Sequence, residues 1–460
     1  MANKYDKLDH REHIYKLPNM YIGSVEALPL ETYVYEDDNF VKKTISYVGG
    51  LLKIVDEVIS NSIDHITRQS TSKEIDTKLV KVIKINVNKE TGEISIFNDG
   101  DGIPIEKHEK HNLLVPEMIF GELLTSSNYK EDDQKIVVGQ YGMGVKLCNI
   151  FSTEFEVETI DHRNKKFYQQ KWSNNMIVKS KPTIKASTKA PYTKITFTPD
   201  YKRFGLKGLS DDMYNLIHKR VIDATAVTPA SVTIFFNDVK INIKDFEQYV
   251  NAYIGPNKTE NPRVSESNDR WNVIVTPSEE SVFEQVSFVN STPIIRGGKH
   301  IDYITNQIVK GLTEIATKKK KLVKPNHIKD NIRVFVNCTI VNPTFDSQSK
   351  ELLTTPISKF GSKIDLSDAF MAKLYKTGLV DKAINLTEFH TEKKLTKTDG
   401  KKTSRIIVNK LDDANKAGTK ESEKCTLILT EGDSAKTMAI SGLSQIGRDY
   451  YGVFPLKGKV

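Results

Sequence analysis

Gly139-Gln140-Tyr141-Gly142-Met143-Gly144-Val145-Lys146 is the stretch on which the reading of this chain turns, and a helix-like run, Leu147 to Phe151, follows it directly. Three glycines at GxxGxG spacing let a backbone turn tightly and approach a ligand closely. A helix starting there points unsatisfied N–H groups at whatever sits in the turn, which predicts a phosphate cradle. The same spacing marks dinucleotide-binding folds, which want a strand just before the glycines and an acidic residue about 20 positions after them. Asp161 lies near that distance, but Thr125 to Gln134 reads as a polar loop, so a nucleotide site of another kind fits better.

A chain of 460 residues exceeds one typical core and predicts two to four domains. Its 38% hydrophobic and 27% charged residues are those of a globular protein with sizeable cores. No run reaches the roughly 18 apolar residues of a membrane span, and Met1 to Asp9 is too polar for a signal peptide, so an intracellular protein without a membrane partner is expected. Cys148, Cys338 and Cys425 lie far apart without ligand spacing, which indicates neither a disulfide framework nor a zinc site. The formal charge of +8 favours polyanionic partners only mildly.

Working outward, His10 to Ser24 reads as a turn-rich arm without clear periodicity, and it contains Tyr21. From Gly50, the residues Leu51, Leu52, Val55, Ile59, Ser62 and Ile66 recur at helical spacing. On that helix Glu57, Asn61 and Asp64 share a narrow stripe on the other side, which in isolation reads as a solvated face. Lys81 to Val87 and Glu93 to Phe97 alternate around Thr91-Gly92 as a hairpin. It runs into Asn98-Asp99-Gly100-Asp101-Gly102, where Asp99 at the strand end could accept the amino N–H of adenine. Leu113 to Leu124 reads as a helix; Phe155 to Thr159, Lys166 to Trp172 and Tyr192 to Pro199 read as strands. That order describes an α/β sandwich with a mixed sheet.

A second unit is expected from about Val239, with strands at Trp271 to Thr276, Val282 to Asn290 and Arg333 to Val341. Helices are expected at His300 to Ile315 and through most of Leu366 to Phe389. The lysines Lys318, Lys319, Lys320 and Lys321 fall on a loop between helix and strand, a feature that is most often a solvated surface. A last unit opens with the apolar strand Cys425 to Thr430 and the acidic turn Glu431-Gly432-Asp433, and Val460 comes too soon to complete it.

Glu57 and Asn61, Asp99 with its following glycines, and the glycine loop together resemble the nucleotide-binding motifs of the GHKL ATPases. Phe120 to Tyr129, Asn342 to Lys350, Leu411 to Asn415, Glu431 to Ala435 and Tyr451 to Leu456 are similar to blocks of eukaryotic-type DNA topoisomerase II, a type IIA family. The resemblance implies an α/β (α+β) architecture: a GHKL (Bergerat) sandwich with its N-terminal arm over residues 1–242, and a ribosomal protein S5-like transducer over 243–402. A linker over 403–424 and the start of a TOPRIM domain over 425–460 would follow.

The resemblance also implies roles. Glu57 would be the general base, Asn61 the Mg2+ ligand with Asp64 nearby, and Asp99 the adenine reader with Thr196 supporting its waters. Ser126, Ser127 and Asn128 would contact ribose and phosphates. Gly139, Gly142, Met143, Gly144, Val145 and Lys146 would hold the phosphate chain of ATP. Gln348 and Lys350 would sense the γ-phosphate, and Tyr21 would reach the nucleotide of a partner subunit in an ATP-closed homodimer. Lys318 to Lys321 would meet a captured double-stranded DNA segment, and Glu431 would be part of a second metal site, in an enzyme acting in the nucleus or at a viral DNA replication site. Without its partner carboxylates and a nucleophilic tyrosine, the chain alone is expected to be an ATPase that does not cleave DNA. The rival reading is a GHKL repair or chaperone-type switch, which would lack the Glu431-Gly432-Asp433-Ser434 block.

Overall fold

The structure, a computed structural model, describes residues 7–71, 76–125, 136, 142–385 and 411–456. Its first unit opens with α1 (His10–Lys16), whose N-terminus is capped by the Asp9 carboxylate accepting from the Glu12 N–H at 2.7 Å. The hairpin β1 (Leu28–Glu36) and β2 (Asn39–Tyr47) follows, turning through Asp37 and Asp38, both at positive φ. The long helix α2 (Gly49–Thr71) leads into β3 (Val82–Val87) and β4 (Ile94–Asn98). Next come α3 (Val115–Gly121), α4 (Gly144–Ile150), β5 (Ser152–Asp161), β6 (Lys166–Ser173), β7 (Val178–Lys179), β8 (Thr183–Ala186) and β9 (Tyr192–Pro199). Helix α5 (Asp211–Val227), β10 (Thr233–Phe236), β11 (Val239–Lys240) and α6 (Phe246–Ile254) close the unit.

One nine-stranded sheet carries the order β11-β10-β3-β4-β9-β5-β6-β7, with β8 on β6. Only β10 and β3 pair in parallel, so the sheet is mixed. Helices α2, α4 and α5 cover one face, where Ile83, Ile85, Ile94, Ile96, Val157, Ile195 and Phe197 meet Leu51, Ile54, Val55, Val58 and Leu147. Each such side chain contributes about 1.5–3 kcal/mol when fully buried, so this layer fixes where α2 lies. Both stripes of α2 are covered: Glu57 and Asp64 are each only 5% exposed, and the solvated face expected for them does not exist.

In the second unit the sheet order is β12 (Val264–Asn268), β13 (Trp271–Pro277), β16 (Ile332–Cys338), β14 (Glu284–Val289) and β15 (Thr292–Pro293). Helices α7 (Lys299–Lys318), α8 (Pro325–Asp330) and α9 (Asp368–Tyr375) pack on it around Val273, Ile304, Ile308, Val334 and Leu374. A third cluster joins the two units, with Phe40, Tyr249 and Tyr253 against Ile274, Phe288 and Phe335. Beside it Arg333 ion-pairs with Glu284 and donates to the Tyr33 hydroxyl at 2.9 Å, tying β16 and β14 to the β1–β2 hairpin. In the last unit β17 (Thr426–Thr430) and β18 (Tyr451–Pro455) pair in parallel beside a helix, Asp433–Ile446.

Several boundaries differ from expectation. The arm holds a capped helix, and the β1–β2 hairpin is an element that periodicity over the arm did not suggest. The helix expected at Leu113 to Leu124 shrinks to Val115–Gly121. Helix α7 runs on through Lys318, so that residue ends a helix rather than starting a loop. The helical stretch from Leu366 is interrupted after Tyr375 by turns through Gly378, whose φ is +82°. Residues 386–389 of that stretch, and the linker up to residue 410, lie outside the described residues.

Candidate functional site

The site is built on α2, which the apolar layer clamps so that its polar stripe faces α4 and the end of β4. Glu57 takes two cations on one oxygen: Lys53 Nζ stands 2.5 Å and Lys350 Nζ 3.2 Å from Oε1. Burial pushes the Glu57 carboxyl up, but Lys350 and Lys53 more than offset it and hold it at about 2. Its other oxygen abuts α4, since a Cβ at Gly144 would come within 1.9 Å of Oε2. Glycine at 144 is therefore a steric requirement of this packing. Asp56, next to Glu57, is engaged by Arg220 of α5 and accepts from Ser60 Oγ at 3.2 Å. Asn61 follows one turn on, half-buried, and Asp64 lies buried beyond it, near enough to Lys350 to favour its charged form.

Lys350 comes from the second unit. The loop from Asn342 folds back on itself through the Thr354 N–H to Thr344 O bond at 2.9 Å. It is anchored by the Arg296 to Asp346 ion pair at 2.8 Å and by the Leu353 N–H to Gly297 O bond at 3.0 Å. Lys350 itself sits at φ +61° with its N–H on Ser347 O, which turns the side chain out of the loop, where it is 7% exposed. Gln348, two residues earlier, is half-buried.

On α4 the first intrahelical bond is from the Leu147 N–H to Met143 O, so the N–H groups of Gly144, Val145 and Lys146 precede the ladder. Gly142 takes φ +62° at the turn into it. The Lys146 ammonium donates to Thr125 O at 2.8 Å and to Gly142 O at 2.5 Å. It thereby ties together the two ends of the segment that includes the expected ligands Ser126, Ser127, Asn128 and Gly139, which lie outside the described residues. Burial lowers its pKa to about 8.

The structure gives the two residues expected at the adenine end other surroundings. Asp99 accepts the N–H groups of Lys81 and Val82, both at 2.8 Å, because it points back along the β3–β4 hairpin. Asn98 is the residue that faces α2, sharing a side of β4 with Ile94 and Ile96. It is 6% exposed, with His65 Nδ1 3.3 Å from its Oδ1 and Nδ2 donating to Ser62 Oγ at 3.5 Å. Thr196 pairs with Ser95 and Glu156 on the opposite face of the sheet. Thr193 is the β9 residue in register with Asn98, and its Oγ1 lies 3.1 Å from that of Thr159. Gly102 explains the glycine-rich strand end, since a Cβ there would meet Ile160 O at 1.7 Å. Asp161, the acidic residue a dinucleotide fold would need, is spent on the N–H of Ile105 at 2.8 Å and of Asn164 at 3.0 Å.

The remaining candidates lie elsewhere. The Tyr21 hydroxyl is 2.9 Å from His13 Nδ1 of its own arm, so in the single chain it is held in cis. Of the lysine run, Lys319 sits over the Tyr375 ring at 4.0 Å and Lys321 pairs with Asp381 at 2.7 Å, while Lys318 and Lys320 are exposed. Glu431 is exposed at the end of β17, and among the described residues no group of three or more His, Cys, Asp or Glu could hold a metal. No described helix is long and apolar enough to cross a membrane. Asn98, Thr193 and Lys53 are the site residues that motif reading passed over, and strand parity and the i−4 spacing to Glu57 were the signals that could have found them.

Residues 48–203 match the family described as "Histidine kinase-, DNA gyrase B-, and HSP90-like ATPase", and residues 242–405 match "DNA gyrase B". The fold and these matches define a GHKL-type ATPase joined to a transducer domain. DNA topoisomerase 2 of Acanthamoeba polyphaga mimivirus is 46% identical over 100% of this chain and 36% of its own length. The Saccharomyces cerevisiae DNA topoisomerase 2 is 44% identical over 100% of this chain and 33% of its own. The crystal structure of the ATPase region of the yeast enzyme matches with a TM-score of 0.78 at 40% identity, covering 84% of this chain and 99% of that one. The chain belongs to the type II DNA topoisomerase family and corresponds to its ATPase region. It spans about a third of the length of these two full-length relatives.

Proposed function

We propose that this chain binds and hydrolyses ATP with Mg2+ at the site formed by α2, α4 and the end of β4, and closes as a homodimer that captures double-stranded DNA. The observation that carries this reading is Lys350, a cation delivered from the transducer into direct contact with Glu57. Phosphoryl transfer depends on placed charge and an oriented nucleophile more than on covalent help, and this contact puts both under the control of a second domain.

In the mechanism Glu57 orients the attacking water and accepts its proton, and Lys350 moves to the terminal phosphate together with Gln348. The N–H groups of Gly144, Val145 and Lys146, with Gly142 and Met143, take the phosphate chain; Ser126, Ser127, Asn128 and Gly139 would complete that cradle. Asn98 reads the adenine amino group, and Thr193 holds a water beside it. Asn61 fits a magnesium ion that arrives with the nucleotide: it is a neutral, half-buried oxygen donor one turn from Glu57, and Mg2+ bound through phosphates needs only one or two protein oxygens. The ion would neutralise charge on the phosphate oxygens. Tyr21 would leave His13 to reach the partner's nucleotide, Lys318 to Lys321 would face the captured duplex, and Glu431 would join a second metal site in the longer enzyme. The setting is a nucleus or a viral DNA replication site.

The test is ATP hydrolysis by the purified chain, with light scattering in the presence and absence of a non-hydrolysable ATP analogue. A doubled mass with the analogue at micromolar protein is expected. A mass that stays unchanged, or no hydrolysis, counts against the reading. The assignment of adenine to Asn98 is tested separately. Asn98→Ala is expected to weaken ATP binding by about 1–3 kcal/mol, the cost of losing a buried hydrogen-bonding partner. Asp99→Ala should lower the melting temperature but leave affinity nearly unchanged; the reverse pattern in titrations would restore Asp99 to the role.

A further inference from the structure

Lys53 is a buried cation that helix stability does not account for. It lies toward the N-terminal end of α2, so the helix dipole lends its charge no stabilisation. It also precedes Glu57 by four residues, the less favourable order for such a pair. Its side chain is 6% exposed, and its ammonium lies 2.5 Å from Glu57 Oε1 but 4.0 Å from Asp56 Oδ2, a carboxylate that Arg220 and Ser60 already engage. Burying a lysine there is costly unless the charge is used.

We propose that Lys53 is the positioning residue for the general base, holding Glu57 in the orientation that meets the attacking water while Lys350 pairs with Glu57 only until the terminal phosphate draws it away. The proposal rests on the reading of Glu57 as the base. The charged and titratable groups facing Glu57 are Lys53 and Asp56 on its own helix, Cys148 on α4 and Lys350 on the transducer loop, with Arg220 of α5 holding Asp56. Two cations hold the carboxylate at about 2, too weak a base for efficient proton transfer. With none, burial alone would raise it and protonate it. With Lys53 alone it stays ionised and regains basicity, so departure of Lys350 arms the site.

The experiment compares Lys53→Met, which keeps the buried volume, Lys53→Arg, which keeps the charge, and Glu57→Gln as reference. Steady-state hydrolysis is followed against pH, and affinity for a non-hydrolysable ATP analogue is measured without turnover. Lys53→Met is expected to lower kcat roughly 10- to 100-fold near neutral pH, a fraction of what a positioned base contributes. Analogue affinity should stay within about 3-fold, and the acid limb should move up by about 1 unit or more, so that part of the activity returns at higher pH. Lys53→Arg should stay within a few fold of the parent with its limb in place. Full activity in Lys53→Met, a loss with an unmoved limb, or an arginine variant as impaired as the methionine one would each overturn the proposal. If the methionine variant does not fold, the arginine variant decides on the same two readouts. Glu57→Gln hydrolysing at the parental rate would instead remove the base reading itself, whatever Lys53 does.

Discussion

Glu57→Ala is expected to bind ATP but hydrolyse it about 10²–10⁴-fold more slowly than the parent chain, the usual contribution of a positioned base. The two effects separate because Glu57 touches no residue assigned to adenine or to the phosphate cradle except the Gly144 backbone, which an alanine at 57 leaves free. The substitution also strands two buried ammonium groups, Lys53 and Lys350, so the melting temperature should fall together with the rate. Glu57→Gln, which keeps the volume and an acceptor oxygen, should lose the rate with less loss of stability. The same carboxylate predicts a pH effect on folding. Its folded pKa of about 2 lies below the ordinary value of 4.5, so its contribution to stability is complete above about pH 4.5 and is lost as pH falls toward 2. Phosphate-release assays on both variants decide the point: rates within a few fold of the parent would remove Glu57 from the base role.

Much of the first unit was legible because its signals are local. The apolar repeat of α2, the Thr91-Gly92 hairpin and the β5, β6 and β9 alternations each state their own geometry, but the sheet order does not follow from them, because it pairs β4 with β9 and β3 with β10 across long stretches of chain. The motifs were legible as blocks but less so as side chains. Asn98 and Asp99 are neighbours on one strand end, and only parity with Ile94 and Ile96 decides which faces α2; the same parity rule selects Thr193 over Thr196. The burial of Glu57 could not be read from α2 at all, because its polar stripe is covered by α4 and by a loop that begins roughly 290 residues later. Placement of that kind is tertiary, and a helical wheel has no term for it. The arm was misread for a different reason: α1 has only seven residues, too few for periodicity to show, and its one clear signal is the cap at Asp9.

Lys350→Met is the second variant for which a large effect is expected, a fall in hydrolysis of about 10²–10³-fold, the scale seen when one preorganised charge stabilising a transition state is removed. The fold should survive it. Glu57 keeps Lys53 as a counter-charge, and the loop keeps its own anchors, the Arg296 to Asp346 pair and the backbone bonds at Leu353 and Thr354. What should go is communication, since Lys350 is the residue through which the transducer touches the general base. Analogue-induced dimerisation should therefore weaken in Lys350→Met. By contrast, Arg333→Ala, which breaks a different link between the units at Tyr33 and Glu284, should lower stability and leave turnover per folded molecule nearly unchanged. The double variant Lys53→Met with Lys350→Met sharpens the comparison. In the nucleotide-free chain either single change leaves Glu57 one cation, whereas both together leave a buried carboxylate with none, which burial protonates. Their effects on the melting temperature should therefore be coupled, as expected of residues sharing one partner, whereas in turnover Lys53 acts on Glu57 and Lys350 on the phosphate, so the two losses in kcat should be close to multiplicative. Losses in kcat far from their product, measured at one pH on variants with intact melting transitions, would mean that the two lysines still act on one group during the reaction.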